Sequence, residues 1–165
     1  MAENVATDNA LTVTLPSDRE VVMTRSFDAP RDLVFKAYVD PDLIPQWWGP
    51  KIYTTKVEKM DVKPGGTWRF VQRGPDGKEY AFHGTYQTVT PPERIVSTFE
   101  FEPMPGHVII DTITFEEQDK KTILKTRALF QSVQDRDGML NSGMEQGMAE
   151  SMDRLAALLA QSRSE

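Results

Sequence analysis

Between Thr54 and Gln131 the chain offers six segments rich in β-branched and aromatic residues: Thr54–Val62, Thr67–Arg73, Glu79–Val89, Ile95–Glu102, His107–Glu116 and Lys121–Gln131. Every gap between them carries turn chemistry: Pro64-Gly65-Gly66, Gly74-Pro75-Asp76-Gly77, Pro91-Pro92-Glu93, Pro103-Met104-Pro105-Gly106 and Gln118-Asp119-Lys120. Gaps this short admit hairpins, so neighbouring strands run antiparallel in a meander. A curved antiparallel sheet has an apolar face that something must cover.

The cover is legible at the C-terminal end. From Gly138 to Arg163, plotted at 100° per residue, Leu140, Met144, Met148, Met152, Leu155, Leu158 and Leu159 share one face. Gln146, Glu150, Asp153, Arg154 and Gln161 share the other. The spacing predicts one long amphipathic helix. Gly147 and Ser151 are small residues at and within its apolar face. A mid-helix glycine costs about 1 kcal/mol against alanine, so Gly147 implies close packing by another element or space kept for a ligand. Three methionines on the face suit an adaptable apolar surface, although a packed core helix accounts for the same pattern.

Upstream of the meander, Leu11–Leu15 and Glu20–Phe27 read as strands. Ala29-Pro30 opens a helix to about Val39, with proline at its first position. Asp40-Pro41 starts a second, brief helix that contains Pro45 and ends in Trp47-Trp48-Gly49-Pro50. The expected class is therefore α+β: a helix-grip fold in which a curved antiparallel sheet, joined at one edge by the early strand, wraps a long C-terminal helix. Residues 1–10 read as a loose tail and residues 11–163 as one domain.

Composition narrows the function. Cysteine is absent, which excludes disulfide scaffolds, thiolate metal sites and cysteine nucleophiles. The net charge is −6 with no basic run, so nucleic acid and anionic membranes are poor partners. No apolar stretch approaches a membrane span and the first ten residues lack the blocks of a signal peptide, so a cytoplasmic protein is expected. The two histidines, His83 and His107, lie on different strands with no HExxH spacing, and no metal or cofactor is expected. There is no GxSxG elbow, and Pro64-Gly65-Gly66 lacks the lysine of a phosphate loop. Arg69, Arg94 and Arg127 read as solvated strand charges.

The aromatic residues are more informative. Trp47, Trp48, Trp68, Phe70, Phe82, Tyr86, Phe99 and Phe101 fall around the expected concave surface. They either fill a core or line a pocket for an apolar or aromatic ligand, with Tyr86 or His83 as polar anchor. Of the adjacent tryptophans, one is expected to pack and the other to face ligand, partner or solvent. Register decides which aromatics converge. A symmetric turn at Pro75-Asp76 places Trp68 and Phe70 with Ala81 and His83; one bulged residue places them with Tyr80, Phe82, Gly84 and Tyr86. The bulged alternative is favoured because it gathers the aromatics.

Several ordered segments resemble a known family: Phe27-Asp28-Ala29-Pro30, Asp40-Pro41, Trp47-Trp48-Gly49-Pro50, Gly65-Gly66-x-Trp68, Gly84-x-Tyr86, Pro91-Pro92-Glu93-Arg94-Ile95 and Gly143-Met144-x-x-Gly147. The pattern, over roughly Thr12 to Ala160, resembles bacterial proteins similar to the C-terminal domain of the activator of the heat-shock-protein-90 ATPase, within the START-like (SRPBCC) superfamily. The resemblance implies a deep cavity between sheet and long helix. Where the family often carries tryptophan after the second glycine of the last helix, this chain has Met148.

The leading expectation is non-enzymatic binding or transport of a small hydrophobic or aromatic ligand. Its expected contacts are Trp47, Trp48, Trp68, Phe70, Phe82, His83, Tyr86, Phe99, Phe101, Met144, Gly147, Met148 and Ser151. The alternatives are a co-chaperone-like modulator of a heat-shock-protein ATPase, which the resemblance implies, and a cyclase- or hydrolase-type enzyme with His83 or a buried carboxylate as acid or base. Exposed sheet edges and the paired tryptophans offer surface for a weak homodimer.

Overall fold

A computed structural model of the protein describes residues 10–164; apart from Ala10, the tail expected over residues 1–10 lies outside them. The strands are β1 (Thr12–Thr14), β2 (Glu20–Phe27), β3 (Thr54–Met60), β4 (Thr67–Arg73), β5 (Glu79–Thr90), β6 (Arg94–Phe101), β7 (Ile109–Gln118) and β8 (Lys121–Leu129). They form one sheet in the order β1-β2-β8-β7-β6-β5-β4-β3, with every neighbouring pair antiparallel. The six-stranded meander is extended by β2, which pairs with β8, and β1 forms the edge.

The β4–β5 turn takes the bulged form. Gly77 adopts φ +84°, Gly77 N–H donates to Gly74 O at 3.0 Å, and Gly74 N–H donates to Lys78 O at 2.9 Å. A type I turn followed by a left-handed glycine adds the odd residue that sets the register. Phe70 therefore sits opposite Phe82, Trp68 opposite Gly84, and Gln72 opposite Tyr80.

Two helices follow β2: α1 (Arg31–Val39) and α2 (Ile44–Trp47). Pro30 is the N-cap of α1 in extended backbone, so the helix begins at Arg31, one residue later than expected. Asp40 begins the turn into α2. Its Oδ1 accepts from Asp42 N–H at 2.9 Å, and its carbonyl accepts from Leu43 and Ile44 N–H. The helix itself begins at Ile44, so Pro45 falls in its first turn, where no backbone N–H is needed.

The C-terminal segment departs from expectation. It is two helices, α3 (Val133–Asn141) and α4 (Met144–Ser164), with Gly138 inside α3. Ser132 caps α3, its hydroxyl accepting from Asp135 N–H at 3.0 Å. At the other end Gly143 turns to φ +86°, the left-handed conformation that terminates helices, and α4 restarts beyond it. Leu140 and Met144 share one stripe on a helical wheel but sit on different helices.

The lower part of α4 fills the grip. Met152, Leu155 and Leu159 are buried with Phe27, Phe115 and Leu124 of the concave face and with Val34, Phe35 and Ala37 of α1. Arg25, buried on the same face, lies 4.7 Å over the Phe27 ring and reaches Asp153 Oδ1 at 3.1 Å. On its opposite flank α4 holds the loop after α2. Ser151 Oγ accepts from Gly49 N–H at 2.9 Å, and Arg154 donates to Gly49 O at 2.7 Å.

Gly147 has no tight neighbour. A Cβ there would meet Pro50 Cγ at 3.9 Å, an ordinary contact. Gly147→Ala should therefore stabilise the protein by about 0.5–1 kcal/mol through helix propensity alone. The check is a higher urea midpoint at unchanged m-value; a lower midpoint would show that Pro50 cannot accommodate the methyl group.

Candidate ligand-binding cavity

Because strand side chains alternate, the register assigns each aromatic to a face. Phe82 lies between Phe70 on β4 and Phe101 on β6, and Phe99 lies opposite Ile109 on β7. Their rings adjoin on the concave face: Phe82–Phe101 at 5.1 Å and 31°, Phe82–Phe99 at 5.5 Å and 37°, Tyr80–Phe101 at 6.3 Å and 30°. The small interplanar angles make a stepped aromatic floor rather than a herringbone.

Above that floor is a hollow of about 590 Å³. Phe130 and Ile109 form one wall, Pro50 and Tyr53 the other, and Met139, Gly143 and Met144 from the helix break form the roof. The void lies under the break because there α4 has not yet settled onto the sheet. Where α4 presses on the sheet, at Met152, Leu155 and Leu159, the interior is filled.

The expected contacts are redistributed accordingly. Phe82, Phe99, Phe101 and Met144 line the hollow. Trp47, Trp68, Phe70 and Tyr86 are buried in the core, and the Trp47 indole donates to Ala37 O at 3.0 Å. Trp48 also packs, edge-on to Phe70 at 5.1 Å and to Phe82 at 5.2 Å. Gly147, Met148 and Ser151 lie further along α4 and outside the lining. Met148 joins the core clusters, and the Ser151 hydroxyl is committed to Gly49.

His83 requires a correction. It pairs with Arg69 and Glu100, so its ring emerges on the convex face, opposite to Phe82. There Arg69 grips Glu102 through two bonds of 2.8 and 2.9 Å and also contacts Glu58, while His83 Nδ1 lies 2.9 Å from Glu102 Oε2. The Arg69 and His83 hydrogen bonds hold the Glu102 carboxyl down at about 2. The same face carries a polar groove containing Arg31, Arg94, Lys125 and Arg127 beside Glu93 and Glu116, with Arg127 held by Glu20 at 3.0 Å.

Several lining groups had no sequence signal. His107, at the mouth, places Nδ1 2.9 Å from Asp135 Oδ1 on α3. This contact joins a strand entrance to a helix first turn, and no local spacing encodes it. The Ser132-x-x-Asp135 cap was readable, but its lateral partner was not. Gln72 is 6% exposed in the wall, and its carboxamide has no hydrogen-bond partner among the described residues. The amide packs on Gly49, where an added Cβ would come within 1.8 Å of Nε2. Beyond Ile109 on the same face stands Asp111, which burial pushes up to about 7. Burial also raises the Tyr38 phenol, and the nearby Asp111 adds to that effect.

The described residues contain no cluster of three potential metal ligands. Among them no helix is long and apolar enough to cross a membrane.

Residues 28–160 match the family model described as Activator of Hsp90 ATPase homolog 1-like protein. No curated protein matches the chain. Among solved structures, protein Ms6760 from Mycobacterium smegmatis is similar at 26% identity and TM-score 0.82, over 90% of this chain and 96% of that one. A protein from Rhodobacter sphaeroides is similar at 22% identity and TM-score 0.87, over 92% and 99% of the two chains. The AHSA1 protein from Silicibacter pomeroyi is similar at 23% identity and TM-score 0.70, over 87% and 99%. At identities under 25% the last two share a fold with this chain and nothing further.

Proposed function

The chain belongs to the family of Activator of Hsp90 ATPase homolog 1-like proteins, and we propose that this member binds a small hydrophobic or aromatic molecule beneath the α3–α4 break. The observation that carries the reading is the hollow of about 590 Å³ with its floor of Tyr80, Phe82, Phe99 and Phe101. That volume lies in the range of small-molecule sites, roughly 300–1,000 Å³, and the lining has their usual character: apolar surface with a few polar groups. Rings inclined to one another by 30–37° present aromatic faces on which a flat ligand can stack in offset fashion. Non-enzymatic binding or transport is the activity such a container supplies by itself.

The test uses the helix break. Gly138 lies on α3 in the lining, and a Cβ added there meets nothing within 4 Å. Gly138→Trp should fill the mouth while favouring the helix. We expect the neutral fluorophore N-phenyl-1-naphthylamine to bind the wild type saturably, and Gly138→Trp to weaken it by about tenfold or more without lowering the melting temperature. Non-saturating fluorescence in the wild type, or equal binding by both proteins, removes the proposal.

A further inference from the structure

Resting on that reading, we infer that the cavity selects neutral ligands bearing a hydrogen-bond donor, such as a hydroxyl group, and rejects carboxylates. The ground is the pairing of His107 with Asp135 at the mouth, together with the charges of the lining.

A carboxylate can only accept, so the 2.9 Å contact between Asp135 Oδ1 and His107 Nδ1 requires the hydrogen to be on Nδ1. In the neutral ring the second nitrogen, Nε2, is then bare and is an acceptor. Asp135 is well placed to impose this choice. Its own backbone N–H is tied to Ser132 Oγ at the start of α3, which fixes the residue against the mouth. The ring is half exposed and belongs to the cavity lining, so Nε2 is the polar edge it offers to an entering molecule or to solvent.

The lining charges point the same way. Among the described residues the lining has no lysine or arginine, and its formal charge is the Asp135 carboxylate. The chain as a whole carries −6. A ligand carboxylate would lose water, gain no cation and face a like charge. The lining's uncharged polar residues are Tyr53, Gln72, Tyr80, Gln134 and Ser142; of these Gln72 is the buried one, and its carboxamide offers both a donor and an acceptor. Gln72 stands on β4 and His107 just before β7, with β5 and β6 between, so the two polar groups lie on opposite sides of the aromatic floor. A flat ligand lying on the floor would bring its hydroxyl group to His107.

Three probes of one shape test this near pH 8: 2-naphthalenemethanol, 2-methylnaphthalene and 2-naphthoate, with affinities measured by calorimetry. The alcohol should bind about tenfold tighter than the hydrocarbon, and the carboxylate weakest. His107→Phe should abolish the preference for the alcohol and keep hydrocarbon binding. His107→Gln, whose amide oxygen still accepts, should restore part of the preference. Imidazole nitrogen shifts should show one tautomer in the wild type, with Nδ1 protonated. In Asp135→Asn they should show a mixture, with a smaller preference for the alcohol. Equal binding of the three probes, tighter binding of the carboxylate, an unchanged preference in His107→Phe, or a tautomer mixture in the wild type would overturn the inference and leave the cavity reading standing. Binding of none of the three overturns both.

Discussion

Replacing Asp111 with asparagine should raise the stability of this protein by about 3 kcal/mol near pH 8, with the gain shrinking as pH falls. Asp111 lies on the concave face of β7, between Ser97 and Ala128 of the neighbouring strands. Burial lifts its carboxyl from an ordinary 3.8 to about 7. A raised acid binds its proton more tightly in the folded state than in the unfolded one. Stability is therefore highest at low pH and declines between the two pKa values, and the full penalty is present above about 7. At about 1.4 kcal/mol for each pH unit in that interval, the penalty approaches 4 kcal/mol. Asparagine resembles the protonated acid in shape and polarity, so it should remove most of the cost at pH 8 and almost none near pH 4. Urea denaturation of both proteins across this range reads the effect directly. Glu102 acts with the opposite sign: its lowered carboxyl contributes above about 4.5 and is lost as pH falls toward 2. Measurements between pH 5 and 8 therefore leave Glu102 out, and the difference between the two proteins at each pH reads Asp111. A gain equal at every pH, or a loss at pH 8, would refute the assignment.

Gly84→Ala should cost about 3 kcal/mol or more, among the largest losses expected from adding one methyl group. Gly84 lies on the concave face beside Trp68, in the same plane of the sheet as the aromatic floor. An added Cβ would come within 1.9 Å of the Thr98 carbonyl oxygen and 2.6 Å of Trp68 Nε1. The first neighbour is backbone in the adjacent strand and cannot step aside without breaking the β5–β6 ladder. The second is an indole wedged against Phe70 at 4.7 Å and facing Phe99 at 6.0 Å. The measurement is the urea midpoint, with the wild-type m-value confirming that both states are unchanged in extent. The contrast with Gly147→Ala is the control, because the same substitution in open space on α4 should raise the midpoint. A Gly84→Ala protein as stable as the wild type would mean that β5 and β6 are further apart than described.

Much of the architecture was readable because it rests on local rules. Six strand segments with turn residues between them require a meander, and Gly74-Pro75-Asp76-Gly77 contains the glycine that its bulged turn uses at φ +84°. That register puts Phe82 with Phe70, and the separate β5–β6 pairing of Phe82 with Phe101 brings Phe99 and Phe101 to the same face; Phe82, Phe99 and Phe101 all line the cavity. The same alternation sends His83 to the other side. The bulged register favoured for the aromatics therefore cannot also bring His83 to their face, and its expected role as a polar anchor beside them falls with that register.

Other features were out of reach because they depend on contacts between distant segments. A helical wheel drawn through residues 138–163 shows one stripe, since periodicity carries across Ser142-Gly143 as if the backbone did. Only the packed fold reveals that Gly143 turns left-handed there and leaves a void beneath the break. Trp68, Phe70 and Tyr86 have the same composition signal as Phe82, yet they are core, buried in one cluster with Trp47, Met152 and Leu155.

By itself, then, the sequence determined the elements, their order and the antiparallel pairing, since propensity, turn chemistry and side-chain alternation act over a few residues. Tertiary structure decided where the interior is filled and where it is empty. It also decided which carboxylate each histidine meets, Glu102 for His83 and Asp135 for His107, and which carboxylate burial raises. Those outcomes depend on segments far apart in the chain arriving at one place, and no short-range pattern encodes that meeting.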